Sequence, residues 1–154
     1  MPHDAEILGL KDYEIKDIQC PGDKTEIYAR YIGPLYCPHC HSQRLRKKDR
    51  FTRKLRHESW GMRHSWLYLE AYKFKCLDCG RYFNQRFPGI LPWKRSTEIF
   101  RRQVFWSHFD GISRKKLSER QRIGTATIER WFHDFLELQA AKMSSEPCPQ
   151  ELGI

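Results

Sequence analysis

Two Cys-x-x-Cys knuckles, Cys37-Pro38-His39-Cys40 and Cys76-Leu77-Asp78-Cys79, constrain this chain more than any other feature. Zinc takes four soft or borderline ligands in a tetrahedron, and two facing knuckles supply four thiolates. Two intervening residues let both sulfurs of a knuckle reach one metal. A residue without a side chain just after a knuckle lets backbone amides turn toward the sulfurs, and Gly80 stands there. The 35 residues between Cys40 and Cys76 exceed a minimal ribbon and leave room for a hairpin or loop. A redox dithiol would sit at a helix start in a βαβ setting, and no such pattern surrounds either pair. His39 and His41 could substitute as ligands, but four cysteines already close the shell. Cys20 and Cys148 have no ligand partner at useful spacing and read as ordinary thiols. Metal binding would add folding energy that a chain of 154 residues, only 40% hydrophobic, otherwise lacks.

The charge is concentrated. The chain carries +9 overall, and residues 37–75 hold 11 basic and 3 acidic groups, a net +8. Within that stretch Arg44, Arg46, Lys47, Lys48, Arg50, Arg53, Lys54 and Arg56 place eight basic side chains in thirteen positions. A localised basic surface fits a polyanion partner. In an extended segment Arg44, Arg46, Lys48 and Arg50 share one face, a row suited to a phosphate backbone. Such contacts give affinity and salt dependence without sequence choice. No apolar run approaches the length of a membrane span, and no signal peptide is visible, so a cytoplasmic, nucleoid-associated protein is expected. In that compartment the cysteines are metal ligands or free thiols, not disulfides.

Tyr13, Ile15 and, out of phase, Ile18 alternate imperfectly, and Pro21-Gly22 precedes a second alternating run from Glu26 to Ile32. The pair predicts a hairpin over residues 1–36. Residues 66–75 alternate aromatic and apolar side chains and run into the second knuckle; Trp66, Tyr68 and Tyr72 are read as core, since their neighbours are apolar. An RNA-binding ribbon would instead use these rings to stack bases. From Ser96 the period becomes helical. Thr97 is the expected N-cap of a helix whose apolar face is Ile99, Phe100, Val104, Phe105, Trp106 and Phe109. Ser113 begins a short helix with Leu117 inward. Thr125 is expected to cap the next helix, with Ile128, Trp131, Phe132, Phe135 and Leu138 on one face. The predicted fold class is α+β, a small β-rich zinc ribbon (residues 37–92) followed by an all-α helix-turn-helix module (93–143), with 144–154 as a linker. In that plan Thr125, Thr127 and Arg130 reach base edges.

The order Cys-Pro-His-Cys, basic stretch, strand, then Cys-x-x-Cys-Gly-Arg followed by Tyr82-Phe83, then paired helices, resembles the N-terminal part of a family of bacterial insertion-sequence transposases. The resemblance implies a zinc ribbon, a helix-turn-helix and then a DDE catalytic domain of RNase H-like fold. Leu152-Gly153-Ile154 is similar to the family sequence that leads into the first catalytic carboxylate, so the chain is expected to end at that threshold. Asp110, Asp134, Glu137 and Glu146 do not match the family's carboxylates, and no catalytic residue is assigned. A two-metal site needs clustered carboxylates, so Mg2+ would belong only to the absent catalytic domain. The expected activity is sequence-specific binding of terminal inverted repeats. The expected partners are double-stranded DNA and a second copy on paired ends, without a membrane or a small-molecule substrate. The alternative is a stand-alone zinc-ribbon regulator that binds without cutting.

Overall fold

The computed structural model describes residues 2–145. Cys148, Glu146 and the Leu152-Gly153-Ile154 ending lie outside the described residues. The elements run α1 (Pro2–Ile7), β1 (Tyr13–Gln19), β2 (Lys24–Tyr31), β3 (Leu45–Trp60), β4 (Arg63–Cys76), β5 (Tyr82–Asn84), α2 (Glu98–Phe109), α3 (Arg114–Gln121) and α4 (Thr125–Ser145). Two compact units divide between Phe100 and Arg101. Among the described residues no helix is long and apolar enough to cross a membrane.

The first unit is a five-stranded mixed sheet of order β1-β2-β4-β3, with β5 also on β4. β1 and β2 form the expected antiparallel hairpin, turned at Gly22 with φ +60°. A bulge between Ile15 and Asp17 shifts the strand's phase, which explains why Ile18 falls out of step yet pairs with Ile27. β3 and β4 form a long hairpin closed by Gly61 and Met62, where Gly61 takes the positive φ that a primed two-residue turn needs. β2 then runs parallel to β4, from Lys24 opposite His64 to Arg30 opposite Glu70.

That pairing overturns the expected fold class. The zinc ribbon is not a small separate β module followed by an all-α module; its strands belong to one mixed sheet that includes the N-terminal hairpin. Nor do the later helices begin as an independent helix-turn-helix. The N-cap of α2 is part of the sheet unit: Thr97 donates its amide to the Arg56 carbonyl at 2.9 Å, and Glu98 donates its amide to Gly89 at 2.9 Å. The helix α1 was not foreseen.

Leu67, Leu69 and Ala71 of β4 point to one face and are fully buried with Ile27, Ala29 and Leu55, covered by Leu8, Leu10, Phe87 and Ile90. His57 is fully buried at the edge of this core. Its Nε2 lies 2.9 Å from the Leu8 carbonyl, which can only accept, so Nε2 carries the hydrogen. Nδ1 then accepts from the Thr97 hydroxyl at 3.0 Å, while that oxygen accepts the Phe100 amide at 3.3 Å. One neutral imidazole thus ties the segment after α1 and the cap of α2 to β3. Burial lowers its pKa.

In the second unit Val104, Phe105, Leu117, Ile128, Trp131 and Phe135 are buried. The Phe105 ring lies 5.5 Å from Phe135 and 5.4 Å from Phe132. Arg101, buried, sits against Trp131 and Phe135 and pairs with Asp134 at 2.9 Å. Ser113 caps α3 by accepting the Lys116 amide, and Arg122 ends it in a left-handed conformation. Trp106, Phe109 and Leu138, expected to face inward, are exposed. Gly124, not Thr125, accepts the first amide bonds of α4, from Thr127 and Ile128.

Candidate metal centre and nucleic-acid interface

The two knuckles repeat one another. In the first, His41 donates its amide to the Cys37 carbonyl at 2.9 Å, and Cys37 donates to Ser42 at 2.9 Å. In the second, Gly80 donates to the Cys76 carbonyl at 3.0 Å, and Cys76 donates to Arg81 at 2.9 Å. The residue after each second cysteine is left-handed: Gly80 at φ +73°, as expected, and His41 at φ +58°. His41 therefore serves the backbone turn, and His39 points to the Arg81 guanidinium at 3.3 Å. The hairpin of β3 and β4 fills the 35 residues between them and brings Leu45 opposite Cys76.

Four sulfurs consequently converge. The Sγ atoms of Cys37, Cys40, Cys76 and Cys79 all lie within 4.8 Å of one another, two of them buried. Cys37 and Cys79 are 3.7 Å apart, and Cys40 and Cys76 are 3.5 Å apart. A tetrahedron with Zn–S bonds of ~2.3 Å has edges of about 3.8 Å, which these two separations match closely. The backbone amides of Cys79 and then Asp78 hold the Cys76 thiol down to about 6. The Ser42 amide lowers Cys40, but desolvation and the neighbouring sulfurs outweigh it and push that thiol up to about 12. Such crowded thiols ionise together only around a cation.

Four thiolates closed by two matching knuckles define a structural zinc ribbon. Residues 34–79 match the family model for the zinc-finger of transposase IS204/IS1001/IS1096/IS1165. The match covers the knuckles and the hairpin between them, so the structural zinc site and its transposase type coincide. No curated protein and no solved structure matches the chain.

The basic stretch is placed less simply than its spacing suggests. A bulge between Lys47 and Arg50 changes the phase of β3, so Arg44, Arg46, Lys48 and Arg50 do not form one row. Arg46 pairs opposite Lys75, whereas Lys47, Arg50, Lys54 and Arg56 stand opposite Phe74, Tyr72, Tyr68 and Trp66. Arg44 is exposed and pairs with Asp78 at 2.6 Å, bracing the second knuckle. Arg53 is half-buried and donates to the Lys94 carbonyl at 2.9 Å. Arg56 is buried between the Trp66 and Phe100 rings and contacts His64. Arg46, Lys47, Lys48, Arg50 and Lys54 are exposed.

Trp66, Tyr68 and Tyr72 are not core. The core takes Leu67, Leu69 and Ala71, so the rings line the opposite, half-exposed face. Tyr68 stacks on Tyr28 at 4.9 Å, Lys54 lies 4.6 Å from the Trp66 centroid, and Lys47 lies 4.3 Å from that of Tyr72. Both rings of the tyrosine pair donate to Glu26. Thr125 and Arg130 are exposed at the start of α4, and Thr127 is half-buried. Sequence periodicity missed the bulge because an unpaired residue leaves no compositional mark.

Proposed function

We propose that this chain binds double-stranded DNA at the terminal inverted repeats of a mobile element, as the DNA-binding part of a transposase. The observation that carries the reading is the transposase-type ribbon at residues 34–79 with an exposed basic strand rising from it. Arg46, Lys47, Lys48, Arg50 and Lys54 meet phosphates. Each such contact releases counterions and binds any sequence. Arg56 is left out because its guanidinium is buried. Base choice is assigned to Thr125, Thr127 and Arg130 on the first turns of α4. The chain carries no assigned catalytic carboxylates, and cutting is not proposed for it.

The test is a salt titration of binding to an element end and to a scrambled duplex. Lys47→Ala with Lys48→Ala weakens both and reduces the log–log salt slope by about 2. Thr127→Ala or Arg130→Ala narrows the gap between the two duplexes, by about 1–3 kcal/mol per lost base contact. Equal loss on both duplexes from the α4 variants would move recognition elsewhere. Failure of the parent protein to bind either duplex would end the reading.

A further inference from the structure

Past Ala71 the core face of the sheet stops being apolar. Lys73 of β4 and its partner Asn84 of β5 form the floor of a cavity of about 630 Å3, with Phe51 and Arg53 of β3 beside them. The loop of residues 86–95 forms the wall. Six basic residues line this groove, and none of its lining residues is acidic. Lys73, Arg86, Lys94 and Arg95 have no ion pair among the described residues. Like charges gathered in a concavity raise a focused positive potential and repel one another until an anion enters.

Trp93 stands on the rim. It is 90% exposed and has φ +63°. A bulky residue in the left-handed region is an outlier, and the strain persists only where the surroundings hold it. Here Arg53 holds it, fastening the carbonyl of the next residue, Lys94, to β3. The indole makes no ring or cation contact among the described residues. Tyr82, 53% exposed, offers a second ring in the groove, with Lys73 and Lys75 each 5.6 Å from its centroid. Cations beside accessible rings match a chain of alternating phosphates and bases.

We propose that this groove holds an unpaired stretch of single-stranded DNA, with a base stacked on Trp93 and phosphates against Lys73, Arg86 and Lys94. A duplex is read by an element that projects into its major groove, and a concave site has the wrong shape for that. A cavity within the ~300–1,000 Å3 range takes a nucleotide-sized ligand. The choice of DNA over RNA rests on the function proposed above; the groove's charge and rings do not depend on it. Stacking on an indole accepts every base, so the site is tolerant of sequence.

The test titrates the zinc-loaded full chain against a labelled single strand of about ten nucleotides, the same sequence as RNA, and the duplex. Trp93→Ala is expected to weaken single-stranded DNA about tenfold or more, while Trp93→Phe retains most of the affinity. Arg86→Ala weakens it and flattens its salt dependence. Duplex affinity is unchanged in all three. Single-strand binding indifferent to Trp93→Ala overturns the proposal, as does equal loss on the duplex, or RNA binding tighter than DNA by about tenfold, the low end of the stacking range. Zinc content and thermal midpoint certify the variants. Should Trp93→Ala lose zinc, Arg86→Ala carries the test. Absent duplex binding with Trp93-dependent single-strand binding removes the function proposed above and leaves the groove; the reverse removes the groove alone.

Discussion

The two ends of the long hairpin are held together by different chemistry. Near Leu45 and Cys76 the strands are closed by four sulfurs, and β3 from Arg46 to Arg50 is exposed without interruption. Near Leu55 and Leu67 the same two strands are closed by apolar burial, and Leu55, Arg56 and His57 are all buried. A strand needs an apolar face only where burial supplies its cohesion. Coordination at the metal end frees β3 to be almost wholly cationic there. The charge of this chain and its zinc site are therefore one arrangement, since the basic run sits where the metal makes a core unnecessary.

The largest effect should come from the metal end. Cys76→Ser, or a strong chelator, is expected to drop bound zinc from about one per chain to near zero. Hydrogen exchange should then show lost amide protection across both knuckles and β5, with Leu67 and Leu69 protected longer. Uniform collapse of the whole sheet would break the comparison, because it would make the two ends one cooperative structure. At the apolar end, Leu67→Ala should cost about 2–5 kcal/mol in urea unfolding while zinc remains bound. Loss of zinc from that variant would break it from the other side.

Acid gives a third, smaller effect. His57 has its pKa lowered by burial, so below about pH 6.5 the unfolded chain binds a proton that the folded chain refuses. Its contribution is complete above that pH and declines as pH falls toward the folded value, by at most about 1.4 kcal/mol per pH unit. Zinc release also follows acidification, so the measurement is the difference between the parent and His57→Gln in stability across about pH 5.5 to 7.5, about one unit either side of the free imidazole value. A flatter profile in the variant is expected; identical profiles would assign all acid sensitivity to the metal end. The smallest change in stability belongs to Lys54→Ala, about 0.5–1 kcal/mol for its contact with Trp66, set beside a measurable weakening on DNA.

The zinc ligands were legible because their spacing is local: each knuckle is four residues long, and the hairpin between them is contiguous. The alternation of Trp66 to Lys75 likewise announced β4. The phase of a strand was legible only until a bulge: the one at Ile15/Asp17 showed as Ile18 falling out of step, while the one at Lys47/Arg50 turned a correct extended segment into a wrong assignment of faces. Trp66, Tyr68 and Tyr72 were misread because both faces of β4 carry hydrophobic side chains, and only the register shows which face is covered. The parallel pairing of β2 with β4 joins residues forty positions apart, such as Glu26 and Trp66, and no local pattern encodes it. The groove combines β3, β4, β5 and a loop, so its charges were visible singly and never as a set.

β3 ends the sheet, and beyond it the only backbone partner among the described residues is the short bridge from Arg56 to Ser96. A strand of 16 residues with an open edge is a template on which another chain could add a strand. The lysines and arginines along that edge repel such an approach, and the bulge at Lys47/Arg50 twists the edge out of line. Neutralising several of these charges at once would uncover a sticky margin, so a variant stripped of the whole run is expected to self-associate before its DNA affinity can be measured. The same side chains are expected to keep copies of this protein apart when no polyanion is present.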